Sequence, residues 1–230
     1  MNEKLTCYMC SKIATNDEHV PPKCFFPSTN DGRYKVNLIK VPSCIKHNND
    51  TSATDELVNI LLYLALPNEK NEPAKLQGNK FLNFQSKNTH RKISLLTKIL
   101  SNNPRIVKLE EIYVDRKGET LVFNYNPLRS QLIETFEKIS CGIFFHETKR
   151  KLLGSHAILD LIGKSKDPQI DLDKLEIKNE ALKFLDKNQV AFKGDNPTVF
   201  KYRFIENGDK VLFQFYIYES IEIYNVALKL

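Results

Sequence analysis

Two short pairs of metal-binding residues constrain this chain more than any other feature. Cys7 and Cys10 are separated by two residues, and Cys44 and His47 repeat the spacing further along the chain. A two-residue spacer lets both side chains of such a knuckle turn toward one ion, and structural zinc takes four sulfur and nitrogen ligands in a tetrahedron. The sequence therefore predicts one structural zinc site bound by Cys7, Cys10, Cys44 and His47.

The segment between the two knuckles has the pattern of a β-hairpin. Pro21 and Pro22 closely follow His19 and disfavour a helix there, so His19 is expected at the end of a strand or in a loop. Residues 36–41 have the composition of a second strand, which Pro42 would stop. Knuckle, hairpin, knuckle and helix, in that order, form the treble-clef arrangement.

A helix is predicted directly after the second knuckle. Ser52 and Asp55 approximate a capping box, and the buried stripe has helical spacing; it consists of Leu57, Ile60, Leu61 and Leu64. A helical wheel places Asp55 opposite this stripe, facing solvent as the cap, and Glu56 about 90° from its centre, leaning over the hairpin.

The rest of the chain predicts an α+β fold. Residues 1–67 form the first predicted domain, the polar run 68–79 a linker, and residues 80–230 a second domain with an antiparallel sheet. Helices are expected within 91–100, 128–139 and 175–185, and strands at 112–114, 120–124, 198–204, 211–218 and 222–228.

The net charge of +6 is unevenly distributed along the chain. Residues 69–117 carry eleven Lys or Arg against five Asp or Glu, whereas residues 1–66 are balanced. Such an excess favours a surface for a polyanion, and a solvated lysine-rich face is the alternative. The candidate phosphate-contacting residues are Lys87, Arg91, Lys92 and Lys98.

Cysteine usage and hydropathy indicate the compartment. Three of the five cysteines lie in the knuckles, which leaves Cys24 and Cys141 without partners by spacing, so reduced thiols are expected. No apolar run approaches the roughly 18 residues of a membrane span, and the N-terminus lacks the pattern of a signal peptide. We expect a cytoplasmic protein that does not contact membranes.

Several of these motifs together resemble the HNH endonuclease family in its zinc-knuckle form. The resemblance covers about the first 65 residues and is carried by Cys7-Tyr8-Met9-Cys10, Glu18-His19-Val20-Pro21-Pro22-Lys23, Val41-Pro42-Ser43-Cys44, Asn48 and the series Ser52, Asp55 and Glu56. The chain departs from the family at His47, where such proteins usually have Cys, although His is also a competent ligand.

The resemblance implies a set of catalytic roles. His19 would be the general base that activates water, and Glu18 with Glu56 would hold a catalytic Mg²⁺ or Mn²⁺ ion. Asn48 would brace the hairpin and orient the imidazole, with Asn49 as its alternate. Asp55 is the alternative to Glu56 at the third catalytic position.

These roles predict a metal-dependent nuclease that hydrolyses phosphodiester bonds in nucleic acid, with double-stranded DNA as the preferred substrate and RNA as a possible one. The second domain would contact substrate, a protein partner or a second copy of the chain. One rival is a noncatalytic treble-clef module that binds nucleic acid or protein, and another is an RNase of a defence or toxin system. Convergence of Glu18, His19 and Glu56 on one open metal position would favour the nuclease.

Overall fold

The computed structural model describes residues 5–65, 71–83, 89–108, 119–163, 165 and 167–230. Helices and antiparallel sheets are combined in one chain, which confirms the predicted α+β class. No helix in the described residues is both long and apolar enough to cross a membrane.

The described part of the chain contains five α-helices and nine strands. The helices are α1 (Ser52–Leu64), α2 (Glu72–Leu82), α3 (Thr89–Leu100), α4 (Arg129–Thr148) and α5 (Pro168–Lys187). The strands are β1 (Asn16–Val20), β2 (Ile39–Ser43), β3 (Arg105–Lys108), β4 (Glu119–Val122), β5 (Gly154–Asp160), β6 (Lys193–Asn196), β7 (Phe200–Asn207), β8 (Lys210–Ile217) and β9 (Ile221–Lys229).

The first sheet is the predicted hairpin, in which β1 and β2 pair antiparallel with His19 opposite Lys40. Strand β2 continues through Pro42, so the predicted stop at that residue is wrong, and the strand ends two residues later than expected, at Ser43. Proline lacks an N–H group but keeps its carbonyl. That carbonyl accepts a hydrogen bond of 2.9 Å from the backbone N–H of Tyr8, which joins the first knuckle to the hairpin.

The largest sheet has five antiparallel strands in the order β5-β9-β8-β7-β6. Its three longest strands, β7, β8 and β9, lie where the alternating apolar pattern predicts them. Three strands were missed by sequence reasoning: β5 and β6 of this sheet, and β3, which pairs with β4 in a separate sheet. Strand β6 has the sequence Lys-Gly-Asp-Asn, which carries no apolar alternation and contains residues that are uncommon in strands.

Residues 72–79 of the predicted linker are helical, because α2 begins at Glu72. Asn71 is its N-cap, and the side-chain oxygen of Asn71 accepts a 2.9 Å hydrogen bond from the N–H of Ala74. A polar N-cap followed by proline in the first turn is a helix-start signal, and it was outweighed here by the polar composition. Residues 66–70, and the predicted strand and turn within 109–118, lie outside the described residues.

Helix α4 packs against both the N-terminal hairpin and the large C-terminal sheet. One hydrophobic cluster contains Val20 and Val41 of the hairpin, Phe136 and Ile139 of α4, and Phe213 of the large sheet. At Gly142 the helix approaches β1 so closely that an added Cβ would lie 2.5 Å from a methyl group of Val20. Glycine therefore lets α4 pack directly on the hairpin, one helical turn after Lys138.

Candidate metal centre and histidine site

Each of the two knuckles is closed by a backbone hydrogen bond of its own. The N–H of Cys10 donates to the carbonyl of Cys7 at 3.3 Å, and the N–H of His47 donates to the carbonyl of Cys44 at 3.1 Å. The second bond closes a 3-10 turn at Ile45–His47. Each knuckle is thus a tight turn that directs its two side chains to the same side.

Four potential ligand atoms converge between the knuckles, all within 4.8 Å of one another. His47 Nδ1 lies 3.3 Å from Cys7 Sγ and 3.5 Å from Cys44 Sγ, and the sulfur atoms of Cys10 and Cys44 are 3.9 Å apart. Zinc bonds of about 2.0–2.3 Å at tetrahedral angles separate ligand atoms by about 3.5–3.8 Å. The predicted cluster therefore forms a group that could hold a metal ion, and its geometry is compatible with zinc.

The electrostatic environment of His47 fits a ligand role. Burial, together with the positive charges of Lys46 and Lys12, lowers the pKa of the His47 imidazole. Metal binding requires the neutral ring, so a lowered pKa reduces the competition from protons near neutral pH.

Glu18 and His19 point to opposite sides of the hairpin, because neighbouring side chains in a strand alternate between its two faces. Glu18 is only 4% exposed and faces α4, whereas His19 is half-buried on the other face. The acid and the imidazole are adjacent in sequence, but they have different surroundings.

A buried lysine lies between two buried carboxylates. The ammonium nitrogen of Lys138 is 2.6 Å from Asp55 Oδ2, 3.3 Å from Glu18 Oε1 and 2.8 Å from the hydroxyl oxygen of Thr51. Burial raises the pKa of both carboxyl groups, while the positive charge of Lys138 opposes this shift. These four residues are called the Lys138 cluster below.

The predicted orientations of Asp55 and Glu56 are wrong. Asp55 is 5% exposed in the Lys138 cluster, whereas Glu56 forms an ion pair of 2.7 Å with Arg91 and is 39% exposed. The wheel assumed one buried stripe, but α1 is buried on two faces. Asp55 shares a face with Val58 and Leu62, which belong to the same hydrophobic cluster as α4. The stripe used for prediction packs in a second cluster with α3, and Leu64 at its end is 36% exposed.

Both asparagines after the second knuckle reach β1. The side-chain amide of Asn48 donates a 3.0 Å hydrogen bond to the carbonyl of Asp17, two residues before His19. Asn49 Oδ1 accepts a 2.9 Å bond from the amide of Asn16. Thr51 donates to the carbonyl of Asn48 at 3.0 Å and accepts from Lys138, so the Asn48 contact is joined to the Lys138 cluster.

His19 lies among cations that sequence reasoning did not group with it. Burial, followed by the charges of Lys23 and Lys40, lowers its pKa and favours the neutral imidazole. Lys35 has its own pKa lowered by burial and by Lys80 and Lys23. We call Lys23, Lys35, Lys40 and Lys80 the basic rim. They come from four separate segments, so no local charge run reveals them.

The predicted phosphate-contacting residues have varied surroundings. Lys87 lies outside the described residues. Arg91 is paired with Glu56, and the Lys92 ammonium donates to the carbonyls of Lys80 and Asn83 at 2.5 and 3.0 Å, where α2 ends. Lys98 is exposed near the end of α3.

Glu18 and Glu56, the predicted ligands of a catalytic Mg²⁺ or Mn²⁺ ion, form ion pairs with Lys138 and Arg91 respectively, so their contacts do not support that site. Among the described residues, no second group of three His, Cys, Asp or Glu side chains converges as the knuckle ligands do. The acid that meets Glu18 is Asp55. Glu18 Oε2 and Asp55 Oδ1 are buried without hydrogen-bond partners, so the pair has oxygen atoms of the type that hard cations bind.

Comparisons of the chain with family models, curated proteins and solved structures give no match.

We predict about one tightly bound zinc per chain, and loss of that zinc in Cys44→Ala, because three ligands bind the ion less strongly than four. Metal analysis after gel filtration measures this directly. Cys24→Ala is the matched control, since Cys24 is a free cysteine outside the cluster and should leave the zinc content unchanged. Folded parent protein without zinc, or equal zinc in both variants, would contradict the zinc assignment.

Proposed function

We propose that this chain is a metal-dependent nuclease of the HNH type, which hydrolyses phosphodiester bonds in nucleic acid with His19 as the general base. Double-stranded DNA is the first-choice substrate. The zinc-braced treble-clef hairpin would be its catalytic unit, and the remaining α+β part would contribute contacts to substrate.

One observation carries the proposal: a half-buried histidine with a lowered pKa lies at the end of a strand, with Lys23 and Lys40 nearby. A neutral imidazole can accept a proton from water, and the lowered pKa keeps the ring of His19 in this neutral form. Lys23 and Lys40 provide positive charge where the phosphate of a substrate would need it. Proton acceptor and phosphate contacts are thus combined in one place.

The position of His19 is defined from both sides. The preceding residue, Glu18, is held by Lys138, and Asn48 binds the carbonyl of Asp17. These contacts prevent the strand end from rotating. A general base needs such a restraint to stay aligned with an attacking water. A divalent cation would neutralise charge that develops on the phosphate and on the leaving oxygen, and it would have to bind on the His19 face of the hairpin, opposite Glu18.

A noncatalytic zinc module that binds nucleic acid or protein is the second candidate. The observation that favours it is the engagement of both buried carboxylates with Lys138, since a catalytic cation would have to share them or replace the ammonium group. A cleavage assay separates the two functions, because both permit binding.

We predict that His19→Ala lowers cleavage of plasmid DNA or total RNA by about 10²–10⁴-fold, the usual contribution of a general base. Zinc content and nucleic-acid affinity should be retained, because His19 is not a ligand of the knuckles. His146→Ala is the matched control, since His146 on α4 also neighbours a glutamate and should be dispensable. Full cleavage by His19→Ala would refute the role of His19 as general base. If the parent cleaves nothing with any divalent cation, the nuclease is refuted and the noncatalytic binding module is the remaining function.

Charge reversal of the basic rim should weaken binding of every sequence alike. The triple variant Lys23→Glu, Lys40→Glu and Lys80→Glu removes phosphate contacts, so affinity should drop and its salt dependence should flatten by about 0.9 in log–log slope per lost contact. Fluorescence anisotropy over a salt series measures both quantities.

The matched control reverses the same number of exposed lysines elsewhere, with Lys183→Glu, Lys187→Glu and Lys210→Glu on α5 and β8. Both triple variants change the net charge equally. An equal loss of affinity in the two would show that overall charge, and not the rim, determines binding.

A further inference from the structure

With both of its carboxyl groups ionised, the Lys138 cluster contains more negative than positive charge. Two carboxylates, Glu18 and Asp55, share one ammonium group, and the side chains of all three are at most 7% exposed. The negative charges of Glu134 and Glu56 also disfavour the ionised form of Asp55 and raise its pKa. Buried charge without full compensation is costly, so the cluster is unusual for a purely structural contact.

The cluster also has more oxygen atoms than donors. Lys138 uses its three N–H groups on Glu18, Asp55 and Thr51. One oxygen of each carboxylate remains without a partner, and the buried hydroxyl of the neighbouring residue Tyr8 has none either. The charges of Glu18 and Asp55 act on the Tyr8 phenol, so this hydroxyl lies near them. Carboxylate and hydroxyl oxygens around a central cation are the surroundings that hard divalent cations take in proteins.

We propose that the Lys138 ammonium group occupies the position of a divalent cation between Glu18 and Asp55, and that Lys138 thereby controls whether Mg²⁺ or Mn²⁺ can bind this pair. While Lys138 is in place, its ammonium group occupies the carboxylate oxygens that a divalent cation would need as ligands. Without it, two buried carboxylates and Thr51 are free to bind the ion.

Cation binding to Glu18 and Asp55 would then be controlled by the C-terminal part of the chain, which contains Lys138. Lys138 lies on α4, which Gly142 holds against Val20, whereas the carboxylates lie on β1 and α1. The position of α4 against the hairpin would then set the cation affinity of the site. This meaning for catalysis rests on the proposed nuclease function, but the exchange of lysine for a cation does not.

The test is Mn²⁺ binding to the zinc-loaded full chain without nucleic acid. The electron paramagnetic resonance signal of free Mn²⁺ measures how much of the ion is bound. Zinc fills the knuckles, whose thiolates select it over Mn²⁺. Lys138→Met should bind one Mn²⁺ at least about tenfold more tightly than the parent, because it removes the competing charge and keeps the length of the side chain. Asp55→Asn in the Lys138→Met background should abolish that gain.

Two further variants control for charge and for folding. Lys178→Met removes a lysine that pairs with Glu222 at 2.7 Å elsewhere, and it should not change Mn²⁺ binding. Lys138→Arg keeps the positive charge and should bind Mn²⁺ as weakly as the parent. If Lys138→Met is unstable, Mn²⁺ should raise its melting temperature more than that of the parent, because an ion that binds only the folded state stabilises it.

Equal Mn²⁺ affinity in the parent and Lys138→Met would overturn the proposal. A Lys138→Met protein that stays unfolded in millimolar Mn²⁺ would overturn it as well, since the ion could then not replace the lysine. A parent protein that never cleaves nucleic acid would refute the nuclease and leave this binding result unaffected.

Discussion

The structure depends on one buried interaction, the ammonium group of Lys138 between the carboxylates of Glu18 and Asp55. Burying an ion costs several kcal/mol, and removing one partner of a buried pair typically destabilises a protein by about 3–5 kcal/mol. The three residues come from β1, α1 and α4, so a change in the position of any of these elements would leave a charge unpaired. The same contact defines how the hairpin, the first helix and the C-terminal part are assembled.

The two knuckles and the Lys138 cluster restrain the hairpin from different sides. The knuckles join the segment before β1 to the end of β2, and Lys151 extends this link by donating a 2.7 Å bond to the carbonyl of Cys10. On the inner face, Lys138 holds Glu18. His19 follows Glu18 on the outer face, so its position depends on both restraints although it takes part in neither. This arrangement gives a rigid support to a side chain that is itself accessible.

Local spacing predicted the knuckles, the hairpin and most helices, because the information lies within a few residues. The burial of Asp55 could not be predicted in this way. Helix α1 packs on two faces, and its second face is buried by α4, more than 80 residues away in sequence. The same distance conceals Lys138, which has the sequence context of an ordinary charged residue on an amphipathic helix.

The basic rim was missed for a related reason. Residues 1–66 have no net charge excess, so a charge count along the sequence favours residues 69–117. Folding brings Lys23 and Lys40 from the balanced segment to His19, while Arg91 of the basic segment pairs with Glu56. Charge counted along a sequence measures composition, whereas a binding surface depends on which charges remain unpaired after folding.

The most direct test of the central interaction is a double-mutant cycle on the zinc-loaded chain, with Lys138→Met, Asp55→Asn and the double variant compared by urea unfolding. If the ammonium group and the carboxylate stabilise each other in the buried cluster, the two free-energy changes should deviate from additivity by about 1–3 kcal/mol, as they do for residues in contact within one network. Additivity within about 0.5 kcal/mol would mean that the two side chains do not interact in solution, and it would contradict the assembly described here.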